Sequence, residues 1–506
     1  MAPQAGARRG VTLILNPVRD LRERSDSMYP DTQLFIDGEW VDGAGAVTLP
    51  VVNPLDGRRI GAVARAEIAD LDRAANAAAR GFALWRATPA VNRAEILRRA
   101  AHVLRRDADE TARLMSLEQG KPVAEALGEV QRGAEFIDWM AGEAQRNYGR
   151  IVPARASGVL QLVNREPVGP VAAFTPWNFP INQMVRKIAG ALAAGCSIIV
   201  KGPEETPASC VELVKAFAEA GVPAGVVNLV FGEPAEISEH LIPHPAIRKI
   251  SFTGSTAVGK HLAALAGRHM KPVTMELGGH APVLVLADAD IDATARAVAG
   301  FKTRTSGQSC ISPTRLLIEA PVHDRFVEAL LAAFATVRMG DGADPATTMG
   351  PMANMRRIEA LEALVEDAVA QGARLRIGGK RTGESGTFFP PTVLAQAPVS
   401  ARVMNEEPFG PLLTVQPFAT IDEAVTEANR LPYGLAAYVF TRSSARARQL
   451  YGRIECGMLS VNHFGLGAAE TPFGGVRDSG FGVEGGAEAI EPYLQTRLFT
   501  ILEQVD

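Results

Sequence analysis

Cys310 is the cysteine of this chain whose surroundings best suit covalent chemistry. It follows the turn 307–309, of sequence Gly-Gln-Ser, which suits an accessible thiolate better than a space-filling thiol. Cys196, in contrast, is flanked by an apolar strand pattern, and Cys210 falls in an amphipathic helix pattern, where cysteine usually acts as a small apolar residue. The sequence therefore predicts Cys310 as a nucleophile.

Two other polar clusters hold the groups that such a nucleophile would need. A thiolate that adds to an aldehyde creates an oxyanion, which needs fixed donors such as an amide and a backbone N–H. Asn178, in the turn 176–180 after a predicted strand, is the candidate amide. If hydride then leaves toward a nicotinamide, a thioester remains, and Glu276 is the candidate carboxylate to activate water against it. An isolated glutamate is at least as often an ion-pair partner or a helix cap.

The segment 252–260 is a candidate nucleotide-binding turn. It joins a predicted strand to a predicted helix, where free N–H groups attract phosphate. The dinucleotide fingerprint G-x-G-x-x-G is absent, whereas Gly254, Gly259 and Lys260 nearly match the P-loop of nucleoside triphosphatases. His261 replaces the hydroxyl residue that binds magnesium in that motif, which argues against a triphosphatase. A glycine-rich turn without a ligand also explains this segment taken alone.

Composition excludes several other classes of function. The 52 basic and 56 acidic residues leave a net charge of −4, which indicates no nucleic-acid-binding surface. No two of the four cysteines form a Cys-x-x-Cys pair, and Pro243 interrupts the close pair His240 and His244. We therefore expect neither a disulfide scaffold nor a metal site.

The sequence also predicts no association with membranes. The longest apolar run, 188–200, has 13 residues, and crossing a bilayer needs roughly 20. Charged residues directly follow the short apolar patch 11–15, which makes a poor signal peptide and favours an N-terminal extension over 1–30. These features predict a cytoplasmic protein.

The predicted elements that position these groups are typical of an α/β protein. A hairpin over 34–40 and a mostly helical stretch over 68–149 precede an extended segment, 151–170. From 168 onward strands and helices alternate, and a second alternating run begins near 283. Repeated strand–helix units indicate doubly wound parallel sheets, and 506 residues are enough for two such lobes.

Seven motifs between 176 and 475 resemble those of the aldehyde dehydrogenase superfamily and come in the family's order, and the resemblance runs over about 33–498. The motifs are 176–180 (Pro-Trp-Asn-Phe-Pro), 201–204 (Lys-Gly-Pro-Glu), 252–259, 276–279 (Glu-Leu-Gly-Gly), 307–310 (Gly-Gln-Ser-Cys), 407–411 (Glu-Pro-Phe-Gly-Pro) and 472–475 (Pro-Phe-Gly-Gly). The resemblance implies an NAD-dependent enzyme. Retention of Cys310, Glu276 and Asn178 in one chain argues against a crystallin-like structural role.

The resemblance implies a division of the chain into two doubly wound α/β lobes and a small β arm. The NAD-binding domain would span 31–149 and 168–278, and the catalytic domain 279–480. The segments 150–167 and 486–506 would form an oligomerisation arm, in which an edge strand adds to a neighbouring subunit. We therefore expect a homodimer or homotetramer.

The resemblance also implies roles for individual residues. Cys310 would be the nucleophile, Glu276 the general base and Asn178 the oxyanion amide. Lys187 would support a proton relay. The residues implied to bind NAD are Thr175, Trp177, Lys201, Glu204, Gly254, Ser255, Gly278, Glu407 and Phe409. The carboxylate of Glu204 would repel a 2′-phosphate, so we expect NAD to be preferred over NADP.

Arg186, Arg304 and Phe473 are implied to bind the substrate. The two arginines match positions that hold the distal carboxylate in the succinate-semialdehyde dehydrogenase branch, and a planar guanidinium suits that contact. We therefore expect a carboxylate-bearing semialdehyde, such as succinate semialdehyde, to be oxidised to the acid. The stretch 465–469 lacks a serine of that branch, and 461–466 resembles relatives with bulkier substrates, so aromatic or general aliphatic aldehydes are the alternative.

Overall fold

The computed structural model describes residues 29–502, so the predicted extension 1–30 lies almost wholly outside the described residues. The helices of the described part are α1 (Ile68–Ala87), α2 (Ala90–Arg106), α3 (Ala108–Gln119), α4 (Val123–Ala144), α5 (Pro180–Ala194), α6 (Pro207–Glu219), α7 (Pro234–Leu241), α8 (Thr256–Arg268), α9 (Ile291–Thr303), α10 (His323–Phe334), α11 (Met355–Ala370), α12 (Ile421–Asn429) and α13 (Ser444–Tyr451). Its strands are β1 (Leu34–Ile36), β2 (Glu39–Val41), β3 (Thr48–Val52), β4 (Arg59–Ala64), β5 (Arg150–Val152), β6 (Val159–Pro167), β7 (Val171–Phe174), β8 (Ile198–Lys201), β9 (Val227–Val230), β10 (Lys249–Thr253), β11 (Val273–Glu276), β12 (Pro282–Val285), β13 (Arg315–Glu319), β14 (Arg374–Ile377), β15 (Thr392–Ala395), β16 (Leu412–Phe418), β17 (Tyr433–Gly434), β18 (Ala436–Phe440), β19 (Met458–Val461), β20 (Val476–Arg477), β21 (Gly480–Phe481) and β22 (Leu494–Leu502).

The first lobe is built on an eight-stranded sheet of order β2-β1-β9-β8-β7-β10-β11-β21. Strands β9, β8, β7, β10 and β11 run parallel, and β7, β8 and β9 are buried along their whole length. Helices α1, α5, α6 and α8 pack on this sheet. Continuous burial, rather than alternation, is what a parallel strand covered on both faces requires.

The strand register brings the carboxyl ends of four strands to one edge of this sheet. Phe174, at the end of β7, pairs with both Lys201 and Phe252, and Thr253 pairs with Glu276. The residue after a strand end therefore projects into the crevice where ligands of open α/β sheets bind.

The second lobe is built on a seven-stranded sheet of order β14-β15-β16-β13-β12-β18-β19, and only β14 runs antiparallel in it. Helix α9 leads from β12 to a 3₁₀ turn, Arg304–Gly307, and the chain reaches β13 after Cys310. The predicted pair of doubly wound α/β lobes is thus confirmed, as is the helical stretch that precedes them.

Strands β22, β6 and β5 form a separate three-stranded antiparallel sheet, in that order. All nine residues of β22 pair with β6, and Leu498, Phe499 and Ile501 are exposed on it. Residues 487–493 form a 3₁₀ turn before β22 that contacts α5, and Tyr493 is buried in the core of the first lobe. Within residues 29–502, no helix combines the length and apolarity needed to cross a membrane.

Candidate active site

The loop that carries Cys310 is held in a conformation of unusual backbone geometry. Thr305 and Ser306 have φ values of 49° and 53°, in the left-handed region that most residues avoid. The Thr305 N–H donates to Glu125 Oε2 at 2.8 Å, and Ser306 Oγ donates to the Gly350 carbonyl oxygen at 2.7 Å. These buried contacts fix a strained turn just before the nucleophile candidate.

Gly307 lets this loop pack directly on the neighbouring chain segment. Its φ is 72°, and a Cβ at this position would lie 2.3 Å from the carbonyl oxygen of Gly410. Gln308 ties the loop further, because its side chain donates to the Thr305 carbonyl oxygen and accepts from the Ala353 N–H, both at 3.0 Å. The glycine and glutamine of the predicted turn are therefore positioning residues for the thiol.

Cys310 is half-buried, and its side chain is a protonated thiol rather than a thiolate. Burial raises the pKa of Cys310 well above its usual value, and the charges of Glu276 and Glu407 raise it further. The predicted accessible thiolate is thus a neutral thiol in this state, so a base must accept its proton before it attacks a carbonyl carbon.

Asn178 lies against the Cys310 loop, as the sequence predicts for an oxyanion amide. Its Nδ2 donates to the Gln308 carbonyl oxygen at 3.0 Å, and its Oδ1 is buried without a hydrogen-bond partner. Its own carbonyl oxygen accepts from Lys121 Nζ at 2.8 Å, and that ammonium also pairs with the buried Glu129 at 2.6 Å. Lys121 and Glu129 thus position the turn, and no local sequence pattern pointed to them.

Glu276 ends β11 in a buried position, and neither of its carboxylate oxygens has a hydrogen-bond partner. Burial raises the pKa of Glu276 to about 8, the negative charge of Glu484 adds to that rise, and Lys187 and Arg186 oppose it. A buried carboxyl with a pKa near neutrality and free oxygens is suited to proton transfer.

Lys187 is fully buried and forms an ion pair that the sequence did not suggest. Its Nζ lies 2.5 Å from Glu484 Oε1, and it donates to Thr253 Oγ1 at 2.8 Å and Ser251 Oγ at 3.2 Å. A buried ammonium requires such a partner, but Glu484 lies 297 residues away in the chain. Glu484 also acts electrostatically on Glu276, so the three charged groups belong to one buried network.

The residues predicted to bind the adenosine half of a dinucleotide lie at the edge of the first sheet. Lys201 Nζ lies 2.6 Å from Glu204 Oε1, and Glu204 also accepts from the Gly232 N–H at 2.9 Å. Thr175 Oγ1 donates to the Lys201 carbonyl oxygen at 3.3 Å. Ser255, next to Gly254, caps the exposed N-terminus of α8.

The residues predicted to bind the nicotinamide half form a second group between the lobes. The rings of Trp177 and Phe409 meet edge to face with centroids 5.6 Å apart. Burial raises the pKa of Glu407 to about 7, and this carboxyl accepts from the Gly279 N–H at 3.3 Å. A Cβ at Gly278 would lie 2.5 Å from Glu407 Oε2, so glycine lets the Glu407 carboxylate keep this position. The acidic cradle beside Gly278 and the exposed N-terminus of α8 fit a nicotinamide dinucleotide.

A cavity of about 430 Å³ opens above Cys310. Its wall contains three arginines (Arg132, Arg186 and Arg304) and five phenylalanines (Phe136, Phe179, Phe301, Phe464 and Phe473). The predicted substrate residues Arg186, Arg304 and Phe473 therefore share one cavity with the nucleophile candidate. Arg132 was not predicted, because an arginine in a helical pattern is usually solvated.

The two predicted arginines differ in the hydrogen bonds that their guanidiniums already form. The Arg186 guanidinium lies between the rings of Phe136 and Phe473, at 5.0 and 4.8 Å from their centroids, and donates to the Glu484 carbonyl oxygen. The Arg304 guanidinium lies 6.0 Å from the Phe179 ring centroid and forms no hydrogen bond or ion pair within residues 29–502. Within the same range, no group of three histidine, cysteine or acidic side chains could hold a metal ion.

The aldehyde dehydrogenase family model matches residues 40–499, which is nearly the whole chain. The chain belongs to this family. Its predicted fold and family are thus confirmed, and this aldehyde dehydrogenase is an oxidoreductase that acts on small aldehydes with NAD or NADP. A nucleoside triphosphatase does not account for this match.

Relatives of this aldehyde dehydrogenase differ in their substrates. It is 45% identical over 473 residues to 4-(hydroxymethyl)benzenesulfonate dehydrogenase TsaD1 of Comamonas testosteroni, covering 94% of this chain and 98% of the relative. It is 39% identical over 477 residues to the NADP(+) succinate-semialdehyde dehydrogenase GabD of Escherichia coli (strain K12), covering 94% of this chain and 99% of the relative. The crystal structure of succinate-semialdehyde dehydrogenase from Burkholderia pseudomallei matches with a TM-score of 0.92 and 38% identity, covering 95% of this chain and 99% of that one.

Proposed function

We propose that this aldehyde dehydrogenase oxidises an anion-bearing aldehyde to its acid with NAD, through a thioester on Cys310. The observation that carries this proposal is the cavity itself, which joins the Cys310 thiol to Arg304, an arginine that forms no hydrogen bond or ion pair within the described residues. An unpaired, half-buried guanidinium favours a substrate that brings the missing negative charge. A carboxylate-bearing semialdehyde, such as succinate semialdehyde, is the first candidate.

The proposed reaction uses residues that lie around the thiol. Cys310 gives up its proton to a base and adds to the formyl carbon, while the Asn178 amide and the Cys310 N–H stabilise the oxyanion. A nicotinamide dinucleotide held by residues such as Glu204 and Glu407 would supply the hydride acceptor for the oxidation of this adduct to the thioester level. Glu276 then takes a proton from the water that attacks the thioester, which releases the acid and restores the thiol. The ion pair of Lys187 and Glu484 acts electrostatically on Glu276 within this buried network.

The substrate proposal predicts a preference that depends on Arg304. The native enzyme should turn over succinate semialdehyde with a higher kcat/KM than butyraldehyde, which has no carboxylate. Replacing Arg304 with alanine should lower kcat/KM for the semialdehyde by about tenfold to a hundredfold, because a hydrogen-bonded ion pair is lost, and should spare butyraldehyde. Steady-state kinetics with both aldehydes measure this.

Two further variants sharpen that test. Arg186→Ala should lower both activities more evenly, because the Arg186 guanidinium is already bonded to the Glu484 carbonyl oxygen beside the buried network. Arg296→Ala, on the exposed face of α9, is the matched control and should change neither. A native enzyme without any preference for the charged aldehyde would refute the substrate proposal.

A second candidate substrate is an aromatic aldehyde with a sulfonate group. Five phenylalanines line the cavity, and the rings of Phe301 and Phe464 stack with centroids 4.7 Å apart. Aromatic walls favour a planar ring between the thiol and the arginines. The 45% identity to a benzenesulfonate-named dehydrogenase supports the same candidate. Comparing 4-formylbenzenesulfonate with benzaldehyde tests it, and a higher kcat/KM than for succinate semialdehyde would favour the aromatic substrate.

The proposed preference for NAD rests on Glu204. Its carboxylate lies at the crevice beside Lys201, where a 2′-phosphate would meet a like charge. Glu204→Ser should raise the ratio of kcat/KM with NADP to that with NAD by at least about tenfold, because that repulsion is removed. Glu212→Ser, which removes a carboxylate of α6 paired with Lys215, should leave the ratio unchanged. Equal use of both cofactors by the native enzyme would contradict this preference.

A further inference from the structure

Helix α4 forms one wall of the substrate cavity because it packs closely on α5. A Cβ at Gly133 would lie 2.6 Å from Ile181 Cγ2, so the glycine permits this approach. The neighbouring residues Arg132, Glu135 and Phe136 thereby line the cavity together with residues of α5. The helix thus brings a further guanidinium to the space above Cys310.

The Arg132 guanidinium is as unengaged as that of Arg304. Both side chains are half-buried, and within residues 29–502 neither forms a hydrogen bond or an ion pair. Both arginines line the same cavity. Burial lowers the pKa of Arg132, and the positive charge of Arg304 lowers it further. Two such groups in one cavity disfavour the empty state and favour an anion between them.

The nearby carboxylates act on Arg132 through space, since the charges of Glu129, Glu135 and Glu125 oppose the fall in its pKa, but none forms an ion pair with it within residues 29–502. Glu129 is paired with Lys121 and accepts from the first backbone N–H groups of α5, and Glu125 accepts from the Thr305 N–H. Glu135 and Glu470 are exposed at the cavity mouth and lie beyond ion-pair distance of Arg132. Both guanidiniums therefore keep their hydrogen-bond donors available to a ligand in the cavity.

We propose that Arg132 is a second anion-binding residue, which holds the distal carboxylate or sulfonate of the aldehyde together with Arg304. This inference rests on the proposed function and deepens it, because it assigns the substrate's anion two guanidiniums rather than one. Two planar donors can engage all the oxygens of a carboxylate or sulfonate, and each contact adds selectivity over an uncharged aldehyde.

The test compares Arg132→Ala, Arg304→Ala and the double variant on two pairs of aldehydes. Succinate semialdehyde is paired with butyraldehyde, and 4-formylbenzenesulfonate with benzaldehyde. Arg132→Ala should lower kcat/KM for the charged aldehydes by about tenfold or more, mainly through KM, and change that for the uncharged ones by less than about threefold. Arg132→Lys should recover part of the loss, because it restores the charge without the planar fork.

A binding measurement separates recognition from catalysis. The affinity for 4-methylbenzenesulfonate, which has no formyl group, should fall in Arg132→Ala by a similar factor when measured by calorimetry. Arg105→Gln is the control, because Arg105 pairs with Asp138 of α4 on the side away from the cavity, at 2.6 Å. This control should retain native selectivity and native affinity.

The outcomes also distinguish the inference from the function on which it rests. If Arg304→Ala loses selectivity for the charged aldehydes while Arg132→Ala keeps it, Arg132 is not an anion-binding residue and the proposed function stands. An even loss on charged and uncharged aldehydes in Arg132→Ala likewise overturns the inference, because it indicates a damaged helix. If the native enzyme has no preference for charged aldehydes, the proposed substrate class itself is wrong.

Discussion

Replacing Cys310 with alanine should abolish aldehyde-dependent reduction of NAD. The thioester route needs a sulfur nucleophile, and no other described cysteine lines the cavity. Removing a covalent nucleophile from a preorganised site typically costs several orders of magnitude, so kcat should fall by at least about 10⁴-fold. The absorbance of NADH on addition of aldehyde measures the loss directly.

The variant Cys456→Ala is the matched control for this prediction. Cys456 is also half-buried, but it packs beside an apolar cluster of the second lobe, and burial raises its pKa to about 11. Its removal should change kcat by less than about twofold. Calorimetric binding of NADH should be the same in both variants and in the native enzyme. A Cys310→Ala enzyme that still reduced NAD at the native rate would disprove the thioester route.

The high pKa of the Cys310 thiol also predicts how fast this residue reacts with an alkylating reagent. Because burial keeps the thiol neutral, alkylation by iodoacetamide at pH 7 should be slow in the cofactor-free enzyme. The rate should rise as the pH is increased, since the thiolate is the reactive form. Fast alkylation of Cys310 at neutral pH would mean that the thiol is already ionised before any ligand binds.

The sequence was sufficient to propose the candidate residues that lie in short, recognisable turns. Asn178 and Glu276 each follow or end an apolar strand, and parallel strands bring such ends to one edge of a sheet. The Gly-Gln-Ser turn before Cys310 likewise depends on local residue types. Local pattern therefore predicted both the lobes and the central catalytic candidates.

The groups that support these residues could not be predicted, because their partners are remote in the chain. Lys187 and Glu484 are 297 residues apart, and Lys121 lies 57 residues from Asn178, whose carbonyl oxygen it binds. Such pairs depend on how helices pack. Helix periodicity alone does not show which two buried charged side chains form an ion pair. Arg132 was missed for the same reason, since only the packing of α4 on α5 shows that it faces the cavity.

Replacing Glu276 with glutamine should block release of the acid while leaving the chain's shape almost unchanged. The amide cannot accept a proton from water, so steady-state kcat should fall by about 10² to 10⁴-fold, the range typical of a lost general base. If Glu276 acts mainly on the thioester, a burst of about one NADH per active site should precede the slow phase. Rapid-mixing absorbance resolves the two phases.

The pH dependence provides an independent check on the same residue. Burial raises the pKa of Glu276 to about 8, so the basic carboxylate becomes populated only as the pH rises through that value. The native kcat should therefore increase with pH up to about 8 and then level off, whereas the Glu276→Gln rate should lack this limb. If the variant shows the same increase of kcat with pH, that increase comes from the titration of another group.

Stability should change with pH in the opposite direction, which separates the titration of Glu276 from a general effect on activity. The folded-state pKa lies above the ordinary value of 4.5, so the folded protein holds a proton that the unfolded chain has lost between those two values. Native stability should therefore decline as the pH rises from about 4.5 to 8, and Glu276→Gln should remove this contribution. Thermal unfolding of both proteins across that range measures the difference. If the difference in unfolding temperature between the native protein and the variant is the same at pH 5 and pH 8.5, Glu276 is already ionised in the folded protein at pH 5. The rise in activity with pH would then come from another group.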